Sequence, residues 1–351
     1  MHTTTSKRGT TAPPHATTRT HGLRFWITCV LLGLLALVMV LGATGASYEA
    51  IMAAGDATRY PPPGRLVDVG GYRLHIHCVG QGSPTVVLAS GAGGFSAEWG
   101  LVQPELAQTT RVCATDRAGL GWSEPGPGAR PPAQIADELH TLLVNAGEPG
   151  PYVLMAHSAG GKHVRLFAQR HPQDTAGIVL IDPRSEYVDD HMTAAEADAE
   201  RAGAEQFQQM LAGMRRVGLL RLTWAVLWPS ALPVTAKLPY ELRETIGVFE
   251  SRPGYIATAQ AENASAAADN DLLRGVALGD TPLVVLGAGT SVEHTPHWRA
   301  SLEYQAGLST NSRLSIIPGS DHSIHWEDPA LVVSAVRDVV DAARTSEPLA
   351  R

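Results

Sequence analysis

In PYVLMAHSAGGKHVRLFAQRHP, Pro151 to Pro172, a serine stands between an apolar run and a glycine-rich segment. The run before Ser158 suits a strand, and Gly161 to Gln169 suits a helix closed by Arg170, His171 and Pro172. A tight turn between strand and helix lifts a serine hydroxyl off a sheet, provided small neighbours let the backbone pass closely. Ala156, Ala159, Gly160 and Gly161 are such neighbours. An ordinary polar loop is the competing reading of this pattern taken alone. Ser158 is a candidate nucleophile whose standing depends on what else the chain supplies.

A serine nucleophile needs an anion site and a base. Ser90-Gly91-Ala92-Gly93-Gly94 follows a third strand candidate, where glycines and small residues let backbone N–H groups converge on a developing oxyanion. The donors expected are Ala92 and, at the start of the helix after the serine, Ala159. A plain glycine turn is the alternative for the first of these. Late in the chain, IIPGSDHSIHWEDPALV places His322 in a loop between the last strand candidate and a helix, which makes it the candidate base. His325 is the rival, expected instead to pack beside Trp326. His157 neighbours the serine, and alternation along a strand points it to the other side, a structural position.

Around these residues the chain must supply a core, and 351 residues with 44% hydrophobic and 17% charged are enough for one. The net charge is −7, unevenly spread. Residues 1 to 24 hold Lys7, Arg8, Arg19 and Arg24 and no acid, leaving 23 basic against 34 acidic residues, or −11, in the rest. That body has no basic footprint for nucleic acid. Phe25 to Ala46 is an uncharged run of the length that crosses a bilayer, roughly 20 residues. It is longer than a signal-peptide core of about 7 to 15, so a retained transmembrane anchor is expected over a cleaved signal. Basic residues before it orient the amino terminus to the cytoplasm and the body outside. Cys29 falls in the anchor, which leaves Cys78 and Cys113 for the body. His294 and His297 lack the glutamate of a zincin helix and read as surface residues.

Residues 1 to 24 are Thr-, Pro- and His-rich in their first part and expected to be disordered, and Ser47 to Arg65 reads as a linker with a stiff proline end. Strand candidates follow at Leu66–Val69 and Arg73–Val79, around a Gly70-Gly71 hairpin, then at residues 85–89, 111–115, 152–156, 177–181, 282–286 and 313–317. Helical text such as Pro132 to Ala146 lies between them, so a mostly parallel sheet covered on both faces is expected. Pro183 to Thr281 breaks the alternation with alanine-rich text and VGLLRLTWAVLWPSALP, and reads as an inserted helical cap. Its Leu219, Leu220, Leu222, Trp224, Val226, Leu227 and Trp228 suit packing on the sheet domain, lining a pocket or touching a membrane surface. Residues 344–351 read as a flexible tail.

Taken together, VDVGGYRLHIHCVGQGSPTVVLASGAGG, VCATDRAGLGWSEPGP, PYVLMAHSAGGKHVRLFAQRHP, GIVLIDP and GSDHSIHWEDP resemble the α/β-hydrolase superfamily, specifically its membrane-anchored bacterial members. The resemblance runs from about Leu66 to Val340 apart from the cap, with Asp321 where glycine usually precedes the base and Ser90-Gly91 in place of His-Gly. It implies an eight-stranded, mostly parallel sheet, residues 66–182 and 282–343, with the cap, 183–281, inserted after the sixth strand. It also implies acyl transfer through Ser158, with carboxylic-ester hydrolysis as the default and no cofactor or metal. Peptide or C–C hydrolysis, acyl transfer to an alcohol, and a non-catalytic membrane-tethered binding protein are the alternatives. Relatives that open epoxides or remove halide carry aspartate at the turn, where this chain has serine. The orienting acid is either Glu293, near the usual site after the seventh strand, or Asp182 at the end of the sixth, where some relatives carry it. Asp182 is preferred, against the alternative that it merely ties the strand end to the next turn. Cys78 and Cys113 fall on strands that are neighbours in this fold, so they form either a disulfide or two buried thiols.

Overall fold

Val86, Leu88, Val153, Met155, Val179, Ile181 and Val284 alternate along their strands with Val87, Leu154, Ile178, Leu180 and Val285, and both sets are buried. A strand buried on both faces can only sit inside a sheet with a layer on each side. The computed structural model, which describes residue 9, residues 19–226 and residues 237–349, has that arrangement. Eight strands, β1 Arg65–Asp68, β2 Arg73–Val79, β3 Thr85–Ala89, β4 Val112–Thr115, β5 Tyr152–His157, β6 Thr175–Ile181, β7 Leu283–Ala288 and β8 Ser312–Ile317, form one sheet in the order β1-β2-β4-β3-β5-β6-β7-β8. The β1–β2 and β2–β4 pairs are antiparallel and the others parallel. All eight strands expected from the sequence are present.

The long N-terminal helix α1 is Arg19–Arg59. Helices α2, Pro132–Asn145, and α3, Gly160–Arg170, pack together over one face of the sheet, where Leu142, Leu143, Val164 and Phe167 are buried. Between β6 and β7 lie α4 Ala194–Arg216, α5 Leu219–Val226, α6 Tyr240–Glu250 and α7 Pro253–Ser265, the helical cap. Helix α8, Trp298–Ala306, follows β7, and α9, Pro329–Thr345, buries Val332, Val336 and Val339 on the opposite face. The cap meets the core through Phe95, Leu120, Leu220, Leu238, Ile246 and Phe249.

Three boundaries differ from the sequence reading. Ser47 to Arg65 is not an irregular linker: α1 continues unbroken through Arg59, and only the proline-rich step to β1 is non-helical. The text after the apolar run, EAIMAAGDATR, is rich in helix-forming alanine, and nothing stops the helix before Tyr60-Pro61. Helix α1 also begins before Arg24, at Arg19; of the expected disordered tail, residues 1–8 and 10–18 lie outside the described residues. At the other end, α9 runs to Thr345, and Leu349 is buried, its N–H donating to Asn311 Oδ1 at 2.8 Å, so the tail is packed as far as that residue. Leu227 and Trp228 lie outside the described residues.

Cys78 and Cys113 are directly opposite in the β2–β4 ladder and are joined, with an S–S distance of 2.05 Å and a sequence separation of 35. Closing such a loop restricts the unfolded chain and stabilises a fold by roughly 2–4 kcal/mol. Peptides from unreduced protein should contain the Cys78–Cys113 cross-link, and Cys78→Ser with Cys113→Ser should lower the denaturation midpoint. Equal midpoints with and without reductant would contradict the bond.

Candidate active site

Ser158 occupies the first position beyond β5 and has φ 52°, a left-handed conformation that a residue with a Cβ adopts at a cost. Backbone bonds hold it there. Its N–H donates to Ile181 O of β6 at 3.0 Å, and its carbonyl accepts from Gly161 N at 3.0 Å and Arg184 N at 3.2 Å. The turn passes so close to β3 that a Cβ on Gly160 would lie 2.8 Å from Ser90 O, and one on Gly91 would lie 3.1 Å from Ser158 Cβ. Those contacts are why the small residues read from the sequence are needed. Ala159, immediately before α3, belongs to a helix start whose first N–H groups have no partner within the helix.

Asp182, immediately beyond β6, also has a positive φ, 41°, and is fully buried. Its Oδ1 accepts from Ala288 N at 2.9 Å and Trp298 Nε1 at 2.8 Å; its Oδ2 accepts from Ser291 Oγ at 2.5 Å and contacts His322 Nδ1 at 2.6 Å. Burial alone would push this carboxyl up, but the His322 contact, with Ser291 and Ala288, outweighs it and leaves the pKa lowered. Glu293, the other acid weighed from the sequence, is exposed on the short helix Gly289–His294. The carboxylate at His322 is that of Asp182. His294 and His297 are exposed, as expected.

The loop carrying Ala92 is held from beneath. Arg117, after β4, donates from Nη1 to Ser90 O at 2.8 Å and from Nη2 to Gly91 O at 2.7 Å. The same guanidinium makes a two-pronged pair with Glu262 of cap helix α7, at 2.7 and 2.9 Å, and both side chains are buried. Ser90 Oγ accepts from Trp99 Nε1 at 3.0 Å. A second core cation, Lys162 of α3, binds Asp189 Oδ2, Ala266 O and Asn270 Oδ1 at 2.6, 3.0 and 2.9 Å. Neither role was read from the sequence. Arg117 lies in the quoted stretch VCATDRAGLGW, but its partner is 145 residues away.

His157 is not turned away from the site. Its ring packs 4.6 Å from that of His322, and its Nε2 bonds His322 O at 3.1 Å, so it braces the loop that carries the base candidate. The alternation rule misplaced it because both faces of a strand meet the site where the strand ends. His325 does pack, its ring 4.8 Å from Trp99 and 4.6 Å from His157, with neither ring nitrogen hydrogen-bonded among the described residues. Burial and the charge of His322 push its pKa down to about 3. Glu98 lies beside these rings; its carboxylate, His157 and His325 offer donor atoms within 4.8 Å of one another, a set that a metal ion could use. Its Oε2 is sealed from solvent and has no hydrogen-bond partner among the described residues.

Burial pushes the Glu98 carboxyl from 4.5 up to about 8, against the pull of Arg117 and a Ser90 hydrogen bond. At low pH folded and unfolded chains both hold this proton; from about pH 4.5 to about 8 only the folded chain does, so its contribution to stability is lost as pH rises through that window. Glu98→Gln removes the dependence. The melting-temperature advantage of the variant should grow from about pH 5 to about pH 8. A difference independent of pH would place the Glu98 proton elsewhere.

Residues 86–335, most of the chain, match the alpha/beta hydrolase family. The uncharacterized protein YbdG of Bacillus subtilis strain 168 is 26% identical over 44% of this chain and 48% of its own length, so the chain spans about half of that relative. A 2-hydroxymuconate semialdehyde hydrolase of Pseudomonas sp. strain CF600 is 32% identical over 34% of this chain and 44% of its own. Among solved structures, a thermophilic esterase from Thermogutta terrifontis superposes with a TM-score of 0.59 at 23% identity, covering 80% of this chain and 98% of the esterase. That likeness is one of fold. The chain belongs to the alpha/beta hydrolase family.

Proposed function

We propose that this hydrolase cleaves carboxylic esters through a covalent acyl-enzyme, with Ser158 as nucleophile, His322 as base and Asp182 as orienting acid. The observation that carries the reading is the 2.6 Å contact between Asp182 Oδ2 and His322 Nδ1, beside a serine held at positive φ at the adjacent strand end. With Nδ1–H given to Asp182, His322 presents Nε2 as acceptor. Ser158 Oγ attacks the ester carbonyl carbon while its proton passes to Nε2, and the carbonyl oxygen takes the negative charge, held by the N–H groups of Ala92 and Ala159. The intermediate collapses as the C–O bond breaks and His322 returns the proton to the leaving alcohol. Water then repeats the sequence on the acyl-serine and releases the acid.

The apolar character of the cap, which brings Leu220, Ile246 and Phe249 onto Phe95 and Leu120 of the core, supports an apolar or amphiphilic acyl group. Helix α1, long and apolar enough to cross a membrane, supports an anchored protein, and the basic residues Lys7, Arg8, Arg19 and Arg24 before its apolar run support a body on the extracytoplasmic side. Leu31, Leu35 and Leu41 of this helix are exposed, with no protein surface covering them among the described residues.

Ser158→Ala and His322→Ala should each abolish turnover of p-nitrophenyl esters and, for the serine, labelling by a fluorophosphonate, with the melting temperature close to that of the parent. Asp182→Asn should lower turnover on the order of a thousandfold or more, because it loses the tautomer and the charge that favour imidazolium. Glu293→Gln should remain near the parent. A crippled Glu293→Gln beside an active Asp182→Asn would exchange the two roles, and turnover by Ser158→Ala would end the acyl-enzyme reading.

A further inference from the structure

Helix α1 and the cap are locked together where the apolar run ends. Gly45 lies one residue before the end of that run, and a Cβ there would fall 2.0 Å from Val217 O; one on Gly218 would fall 2.4 Å from Gly45 O. The two backbones touch, at the depth where α1 leaves hydrocarbon if it spans the bilayer. Beyond this point Arg221 of α5 donates to Glu49 at 2.9 and 3.0 Å and to Asp56 at 3.0 and 2.9 Å. Glu49 and Asp56 are two helical turns apart on one side of α1, and all three residues are buried. Breaking such a buried cluster leaves an unpaired charge, so the cap keeps one height and one orientation on the anchor.

At that height the cap turns apolar side chains outward. Val217, Leu219 and Leu222 are 41%, 43% and 53% exposed, whereas Leu220, Arg221 and Thr223 of the same segment face inward and are buried. Arg215 and Arg216, the last turn of α4, immediately precede them. Apolar side chains that follow two cations, at the level of the headgroups, match the apolar and anionic layers of a membrane surface.

We infer that the Val217–Leu222 turn of the cap is seated in the headgroup–acyl boundary of the bilayer, so that the protein rests on the membrane by its cap as well as being threaded by α1. The inference depends on retention of α1 as a membrane span, as proposed above, and not on the reaction catalysed.

The test uses the full-length chain with Cys29→Ser, in vesicles of phosphatidylcholine and phosphatidylglycerol, carrying an NBD fluorophore at one introduced cysteine: Leu35→Cys in the span, Leu219→Cys in the turn, or Val144→Cys on α2. Lipids with a nitroxide close to the headgroup should quench Leu219→Cys by about half or more, and leave Val144→Cys unchanged. Lipids with a nitroxide deep in the acyl chain should quench Leu35→Cys. If Leu35→Cys is quenched and Leu219→Cys is not, the anchor stands and the seated cap is overturned. If Leu219→Cys shifts to the blue without quenching, protein covers the turn, as in a pair of chains, and the inference also fails. If neither is quenched, the anchor reading falls and takes the inference with it. None of these outcomes depends on turnover, so a failed ester assay leaves the result unaffected.

Discussion

The Asp182 carboxylate is removed from water at the edge of a parallel sheet, and a buried carboxylate persists only when its oxygens are met by donors. Four elements meet this one: the end of β7 through Ala288, the short helix Gly289–His294 through Ser291, α8 through Trp298 and the loop after β8 through His322. The same aspartate is bonded through its own N–H to Leu286 O at 2.6 Å. Everything from β6 to the last loop must be in register for the charge to be tolerated. The order of the C-terminal half of the sheet and the placement of His322 are thus one requirement seen at two scales.

Much of this was visible in the sequence because it depends on local chemistry. The strands announced themselves as short β-branched runs, and the turn at Ser158 by the small residues around it. The base candidate was distinguishable from His325 by its place in the loop. What stayed open were pairings across the fold. Asp182 and Glu293 both precede His322 in the chain, and only the path of the loop after β7, which turns Glu293 outward, separates them. The end of α1 was misread because hydropathy marks the end of an apolar stretch, while helix formation by alanine continues past it.

The cap is joined to the core by charge as well as by apolar contact. Arg117 and Lys162 are core cations whose carboxylate partners, Glu262 and Asp189, follow β6, and Arg165 of α3 pairs with Glu186 in the same way at 2.7 and 2.8 Å. Buried pairs of this kind contribute little net stability compared with apolar packing, yet each is costly to break by halves. They specify where the cap must sit. In the case of Arg117 they also specify the loop below, because the guanidinium that meets Glu262 is the one that fixes the carbonyls of Ser90 and Gly91.

The cap is consequently not an interchangeable part. A cap grafted from another member of the family would have to bring an acid to the position of Glu262, or Arg117 would be stranded without a counterion inside the protein and free to let go of the loop it steadies. Fold architecture alone would not warn of this, since the graft could fill the same space with apolar side chains and still lack a carboxylate that the sheet domain requires. Compatibility between a cap and its sheet in this protein is decided by complementary charge as well as by shape.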